Sequence, residues 1–422
     1  MKRTVLLIAL SSAIVFLKAN GVVTDTVTVG AQYANQVWYS LPNGDVKSEP
    51  KDNWDIAFQI SGIAASILAN TQKGLAVYQS PYSVADWATV DTAGIIGWNA
   101  LHNSDTSWDG GALNAYPDGN FDLGWGTYDL NTHYITGDSV YILKLANGGA
   151  WKKLKIDGLI SGSYTFTWAN IDGTNEQNGT VAKSNYTGKR FAYFSLVNNT
   201  SVDREPASNA WDLTFTKYIA PLYSQGELIP YGVTGILQNS NATAIKAYPV
   251  NDLSDNDYDN YLFQTHINVL GYDWKWYNSN IGGYEIEDST VYFVKRGNGD
   301  IWKVTFLDFG GSITGDYVFN KELIYTNTVG IDDNKVNGLK TLGLYPNPAQ
   351  NNIHVVYNFN GDAGQISNCQ IRDAAGRIVE EKSLFFQPGM QQTSIDVSSL
   401  QPGVYLISFP TLGNTTTRFI VQ

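Results

Sequence analysis

The chain of 422 residues contains one cysteine, two methionines and four histidines. With Cys369 as its single thiol it has no partner for an internal disulfide, so packing alone must hold the fold. Met1 leads the chain and Met390 lies near its far end, which leaves the middle without thioether ligands. Apolar runs are short. The longest, Thr4 to Leu17, falls below the roughly 20 residues that a helical membrane span requires. Positive charge is scarce too, with 27 Lys and Arg against 39 Asp and Glu, and the resulting formal charge of −12 argues against nucleic acid as a partner. Acidity of this degree favours solubility and implies no cationic ligand. No phosphate-cradling Gly-Lys-Ser/Thr loop, no HExxH helix and no GxSxG elbow is present, so the expectation is a binding protein and not an enzyme.

What is abundant is 40 glycines, 26 tyrosines and 12 tryptophans, a bias toward strands and turns. Lys2 and Arg3 ahead of the Thr4 to Leu17 run, with Ala19 or Gly21 as a small residue for cleavage, predict a signal peptide over residues 1–21. Its loss removes Lys2, Arg3 and Lys18 and takes the formal charge to −15. No cysteine adjoins the cleavage site, so a lipid anchor there is not expected.

Near the other end, Asn347-Pro348 marks a turn, Ile353 to Tyr357 alternates as a strand, Ala375-Gly376 interrupts Gln370 to Val379, and Pro402-Gly403 precedes a further strand to Phe409. Short strands at this spacing predict a β-sandwich. The segments LYPNPAQNNIHV and LQPGVYLISF, at Leu344 to Val355 and Leu400 to Phe409, together with Ala375 to Arg377, resemble the C-terminal sorting domain of type IX secretion cargo in Bacteroidetes. That resemblance implies an immunoglobulin-like sandwich over residues 341–422, handling by the type IX secretion machinery, and a secreted or surface-attached product. A linker over 327–340 precedes it.

The middle repeats. Trp54-Asp55-Ile56-Ala57-Phe58 returns as Trp211-Asp212-Leu213-Thr214-Phe215, each preceded by Glu-Pro. An aromatic strand, Val37 to Leu41, has its counterpart in Ala192 to Leu196. Asp138 to Ile156 matches Asp288 to Phe306, and Gly162 to Phe166 matches Gly315 to Phe319. The copies lie one domain length apart, which predicts two tandem antiparallel β domains, residues 22–182 and 183–326. Asn147-Gly148-Gly149 and Asn298-Gly299-Asp300 read as hairpin turns, with Trp151 and Trp302 opening the return strands as packing residues.

The aromatic strand, the Trp-Asp pair and VYFVKRGNGDIWKVTFLDF (Val291 to Phe309) resemble the HmuY family, with the second copy the closer match and Tyr33 to Tyr325 the stretch covered. The resemblance implies an all-β fold whose paired sheets curl around a pocket that holds haem without catalysis, through two axial His or Met side chains. In the second copy the matching loop, Trp274 to Tyr284, carries neither His nor Met. In the first copy His133 falls in the corresponding loop and His102 lies upstream at a family-like separation, so these two are the candidate axial ligands. Both also fit as polar loop residues beside a packed sheet. His266 and His354 read as structural.

Two further features bear on ligands. Asp255 to Asn260 alternates like a calcium loop but has Asn260 where a glycine is needed and His266 where a glutamate is needed, which favours a solvated acidic loop. Trp98, Trp108, Trp125, Trp274 and Trp276 are candidates for stacking against sugar rings, or for core packing. A surface glycan-binding or adhesive protein is therefore the alternative to a haem protein.

Overall fold

A computed structural model describes residues 21–62, 64–119, 121–146, 148–327, 339–359, 365–373, 376–387, 389–410 and 415–422. The expected signal peptide, except residue 21, most of the linker, and Asn147 lie outside the described residues. The chain divides into two units, Met1–Asn327 and Thr328–Gln422. Both are built of antiparallel strands, and the α-helix among the described residues is the four-residue Gly311–Thr314. The all-β expectation holds.

The first unit holds two cores, each enclosed by its own sheets. Tyr164, Phe166 and Trp168 alternate inward from Ser163–Asn170, meeting Phe58 and Phe194 from a four-stranded sheet to fill one core. Tyr317 and Phe319 do the same from Asp316–Tyr325 in the other, against Tyr39 and Phe215. Period-two burial of aromatic side chains is what a half-buried antiparallel strand dictates. The expected hairpins are present, with Gly148 and Gly299 at positive φ in their turns.

The sequence repeats and the cores do not share a boundary. Residues 22–182 and 183–326 are the repeats, yet each core draws strands from both. The aromatic strand of the first repeat, Asn35–Ser40, pairs with Leu213–Ser224 of the second, in the register Tyr39 to Leu213. Reciprocally, Phe191–Ser195 of the second repeat pairs with Ile56–Gln59 of the first, in the register Phe194 to Ile56. These registers are equivalent under the repeat. The strands ahead of them follow suit: Val23–Thr28 pairs with Asp316–Tyr325, and its counterpart Gln177–Ala182, which lies just before the boundary expected at 183 but by this register leads the second repeat, pairs with Ser163–Asn170. Each repeat thus contributes its leading segment to the sheets formed by the other.

The Trp-Asp motif secures this exchange. Asp55 accepts hydrogen bonds from the amides of Leu196 (2.7 Å) and Val197 (3.4 Å), while Asp212 accepts one from Leu41 (2.8 Å). Leu41 and Leu196 directly follow the two exchanged aromatic strands, so each carboxylate holds the end of the strand donated by the other repeat. Backbone bonds repeat the symmetry, from the Asp55 amide to the Phe194 carbonyl and from the Asp212 amide to the Tyr39 carbonyl, both 2.8 Å. Both aspartates are buried, and each has a cation: Lys73 Nζ lies 2.5 Å from Asp55 and Arg296 Nε 2.9 Å from Asp212. A carboxylate in such a place satisfies amides that would otherwise be buried unpaired.

Between the cores Arg204 is fully buried, its guanidinium 5.3 Å from the Trp38 ring, 5.7 Å from Trp54 and 5.2 Å from Tyr193. Next to it Glu205 accepts from the Arg190 amide (2.7 Å) and the Tyr193 hydroxyl (3.0 Å). Burial pushes the Glu205 carboxyl up to about 7, overcoming these hydrogen bonds, which act the other way.

The second unit is a sandwich. Leu339–Tyr345, Asn352–Phe359 and Gly389–Asp396 form one sheet, and Ile378–Phe386, Gln365–Asp373, Gly403–Phe409 and Thr415–Val421 the other. This strand order is immunoglobulin-like. Ile353, Val355 and Tyr357 meet Ile371, Ile407 and Phe419 between the sheets. Cys369 is buried there, its thiol pushed up to about 12 by burial, which keeps it unreactive.

Two outcomes are expected. Asp55→Ala should lower stability by about 3–5 kcal/mol, because it strands Lys73 and the Leu196 amide, and fragments 22–182 and 183–326 should acquire β structure by circular dichroism only on mixing. Folded Glu205 keeps a proton that the unfolded chain loses above its ordinary value of 4.5. Its contribution is therefore complete below that pH and is lost as pH rises toward about 7. In thermal melts, Glu205→Gln should gain on the parent by an amount on the order of 3 kcal/mol between pH 4.5 and 8.

Candidate functional site

The structure does not bring His102 and His133 together. His133, at φ +60, sits at the tip of the hairpin formed by Gly126–Tyr128 and Ile135–Gly137, with Nδ1 2.7 Å from the Tyr128 hydroxyl. His102 follows Leu101, whose amide bonds the Val77 carbonyl, and Val77 is the register partner of Leu143. From Ile135, two places past His133, to Leu143 the chain runs roughly 25 Å at strand rise. Two imidazoles so placed cannot approach one iron from opposite faces, and the paired-ligand expectation gives way to two separate loop residues. His102 is half-buried with Nδ1 unpartnered among the described residues, and burial lowers its pKa, which keeps the ring neutral. His266 is exposed, and His354 lies on a strand of the second unit with its ring 5.1 Å from that of Tyr345.

The acidic loop folds on itself: Asp255 accepts from the Asp257 amide at 2.9 Å, and Asp252 from that of Ser254 at 2.8 Å. Among the described residues no cluster of three or more His, Cys, Asp or Glu is arranged to hold a metal ion.

The tryptophans separate by burial. Trp125 and Trp274 are core residues, 0% and 1% exposed. Trp108 packs against two smaller apolar clusters, one around Trp54 and Tyr193 and one around Tyr218 and Leu237, and donates to the Gln238 carbonyl at 2.9 Å. Trp98 is partly buried beside Tyr82. Trp276 is 46% exposed, and with it comes a cleft that the sequence reading did not assemble.

This cleft, of about 330 Å³, lies where the resemblance placed an axial ligand. The hairpin Lys275–Asn278 and Gly283–Ile286 supplies Lys275, Trp276, Tyr277 and Tyr284, while the long hairpin Leu213–Ser224 and Glu227–Gln238 supplies Lys217 and Tyr231. Tyr33 arrives from the exchanged leading segment of the first repeat, and Phe309 from the end of Ile301–Phe309. The floor is a packed aromatic stack. Trp274 lies 3.9 Å from Phe306 in parallel, Phe309 stands edge-on to Tyr284 at 4.8 Å, and Tyr33 is parallel to Phe309 at 6.2 Å. The rim is wet, with Tyr231 55% and Tyr277 59% exposed. Rings fixed from below and open above form a platform for a flat, partly apolar ligand.

Lys275 lies within this stack, its ammonium 4.4 Å from the ring centres of both Trp274 and Phe309. It donates to the carbonyls of Thr234 (2.8 Å) and Tyr272 (3.3 Å). Burial lowers its pKa to about 7, with the nearby Asp273 carboxylate opposing the shift. A larger opening of about 450 Å³ surrounds Trp211, Asp212, Asn241 and Arg296, but its one aromatic ring, Trp211, is only 4% exposed. It offers no comparable platform.

Comparison with known proteins adds one assignment. Residues 343–422 match the family described as Secretion system C-terminal sorting domain. This domain indicates export by type IX secretion and attachment at the cell surface, as its motifs implied. No curated protein matches the chain. Among solved structures, dimeric latent PorU from Porphyromonas gingivalis aligns at 10% identity over 94% of this chain and 34% of its own length, with a TM-score of 0.18. The BSP domain of a biofilm associated protein aligns at 10% identity over 98% of this chain and 84% of its own, at 0.19. The truncated trimeric ectodomain of the C. elegans fusion protein EFF-1 aligns at 8% identity over 67% of this chain and 66% of its own, at 0.16. Likeness at this level assigns neither fold nor function, and the chain spans about a third of PorU. The resemblance of the stretch Tyr33 to Tyr325 to HmuY is supported by no family match.

Hemin titration checks the placement of the histidines. Any Soret response of the purified protein should be unchanged in His102→Ala and His133→Ala, and a response lost in both would restore them as a pair.

Proposed function

We propose that the protein is a non-enzymatic glycan-binding protein of the cell surface, and that it takes sugar rings into the aromatic cleft of Tyr33, Tyr231, Trp276, Tyr277 and Tyr284. The observation that carries this reading is the pairing of exposed rim rings with a rigid, buried aromatic floor. A pyranose has a face of C–H groups and an edge of hydroxyls. The face stacks on Trp or Tyr, and the edge remains hydrated or bonds polar neighbours such as Thr234 and the tyrosine hydroxyls. Export to the surface places the cleft where extracellular polysaccharide is met.

The test is binding of the full mature chain to a panel of polysaccharides by affinity electrophoresis. Trp276→Ala and Tyr277→Ala are each expected to weaken binding about five- to tenfold, the worth of one stacking contact. Their melting temperatures should stay close to the parent's, since both side chains are exposed. Absence of binding to every polysaccharide would remove the reading.

A further inference from the structure

The cleft combines its aromatic rings with cations and no anions. Lys217 and Lys275 both line it, and its lining contains no Asp or Glu. Lys217 lies 5.9 Å from the Tyr33 ring centre. Lys51, which bonds the Gln32 carbonyl at 3.5 Å, adds repulsion that lowers the Lys217 pKa, although burial is the larger cause. Among the described residues no carboxylate forms an ion pair with Lys51, Lys217 or Lys275. The nearest acid to Lys275 is Asp273, whose carboxylate is engaged by Lys246 at 2.7 Å.

In a chain of formal charge −12 such a grouping is unexpected. Among the described residues seven other lysines of this unit meet carboxylates, Lys47, Lys73, Lys155, Lys189, Lys246, Lys303 and Lys321, and Lys144, Lys153, Lys183 and Lys295 lie over aromatic rings without one, but Lys217 and Lys275 are set apart by sharing one open cleft. Holding half-buried ammonium groups beside carbonyls and ring faces, with no carboxylate paired to them, costs free energy that a bound anion would return. The groups facing Lys275 are the rings of Trp274, Phe309 and Tyr317, the carbonyls of Thr234 and Tyr272, and the nearby Asp273 carboxylate, which lies outside the cleft lining and is held by Lys246. None of these neutralises it within the cleft.

We propose that the cleft selects acidic sugars, with Lys217 and Lys275 receiving a carboxylate, or another anionic substituent, on a ring stacked against the aromatic rim. The inference rests on the glycan reading above and narrows its ligand class. Two attractions then act together: stacking, which is indifferent to charge, and a charge-assisted contact, which is weakened by salt.

The experiment measures binding of the full mature chain to polygalacturonate, to the same polymer with its carboxyl groups reduced to alcohols, and to a sulfated neutral polysaccharide. Polygalacturonate should bind at least about tenfold more tightly than its reduced form, with the difference shrinking between 50 mM and 500 mM salt. Lys217→Gln should remove most of that difference, by weakening polygalacturonate more than its reduced form. Binding of the sulfated polymer alone, lost in Lys217→Gln, would locate the same anion site and assign it to sulfate. Lys275 is embedded in the floor, so Lys275→Gln is read only alongside its melting curve. Equal binding of parent and reduced polymers, with Trp276→Ala still weakening both, would overturn selection for acidic sugars and leave the glycan reading standing. No binding to any of these three polymers would overturn selection for acidic sugars, and the glycan reading would then stand or fall on the wider polysaccharide panel.

Discussion

Two buried carboxylates hold the main unit in its arrangement. Asp55 and Asp212 each accept the amide that ends an aromatic strand belonging to the other repeat. Without them the turns after Ser40 and Ser195 would bury unpaired amides, and the strands they terminate would lose their anchor. The cores depend on those strands, since Val37 and Tyr39 fill one and Ala192 and Phe194 the other. The aromatic cleft depends on them in turn, because Tyr33 enters it on the segment that the exchange carries across. The motif that advertised the repeat is therefore the part that ties the copies together.

Much of the fold was legible from local pattern. Period-two alternation, the Gly-containing hairpins and the matched segments marked strands, turns and the repeat, and each is a property of adjacent residues. The sorting domain was legible from Leu344 to Val355 and Leu400 to Phe409 for the same reason. Partner choice was not. A strand such as Val37 to Leu41 pairs equally well, by composition, with the Trp-Asp strand of its own repeat or of its twin. What selects between them is tertiary packing at Arg204, Trp38, Trp54 and Tyr193, four residues scattered over more than a hundred positions.

The site shows the same division. Histidines attracted attention because their chemistry is rare in this chain, and their spacing matched a family pattern. Distance along a strand, which spacing in sequence does not report, put them apart. The cleft that replaced them is made of Tyr and Trp, the residues the chain has in excess, so no single position stood out. Trp276 was named among candidates, but Tyr33, Lys217, Tyr231 and Phe309 join it from segments remote in sequence. The signal that could have found them was the run Trp274 to Tyr284, where the expected ligand is absent and four aromatic residues stand instead.

Val23–Thr28 pairs with Asp316–Tyr325, so the first described strand closes against the last strand of its unit, nearly three hundred positions downstream. Contacts of such sequence separation delay folding until the whole segment is present, since loop closure must be met before any of the sheet rewards it. The core of Phe58, Tyr164 and Phe194 is complete in sequence by Leu196, whereas that of Tyr39, Phe215 and Phe319 must wait for the last strands of the unit. The aromatic cleft, which needs Tyr33 and Phe309 together, therefore comes into being only after the last strands of the unit have closed on the first.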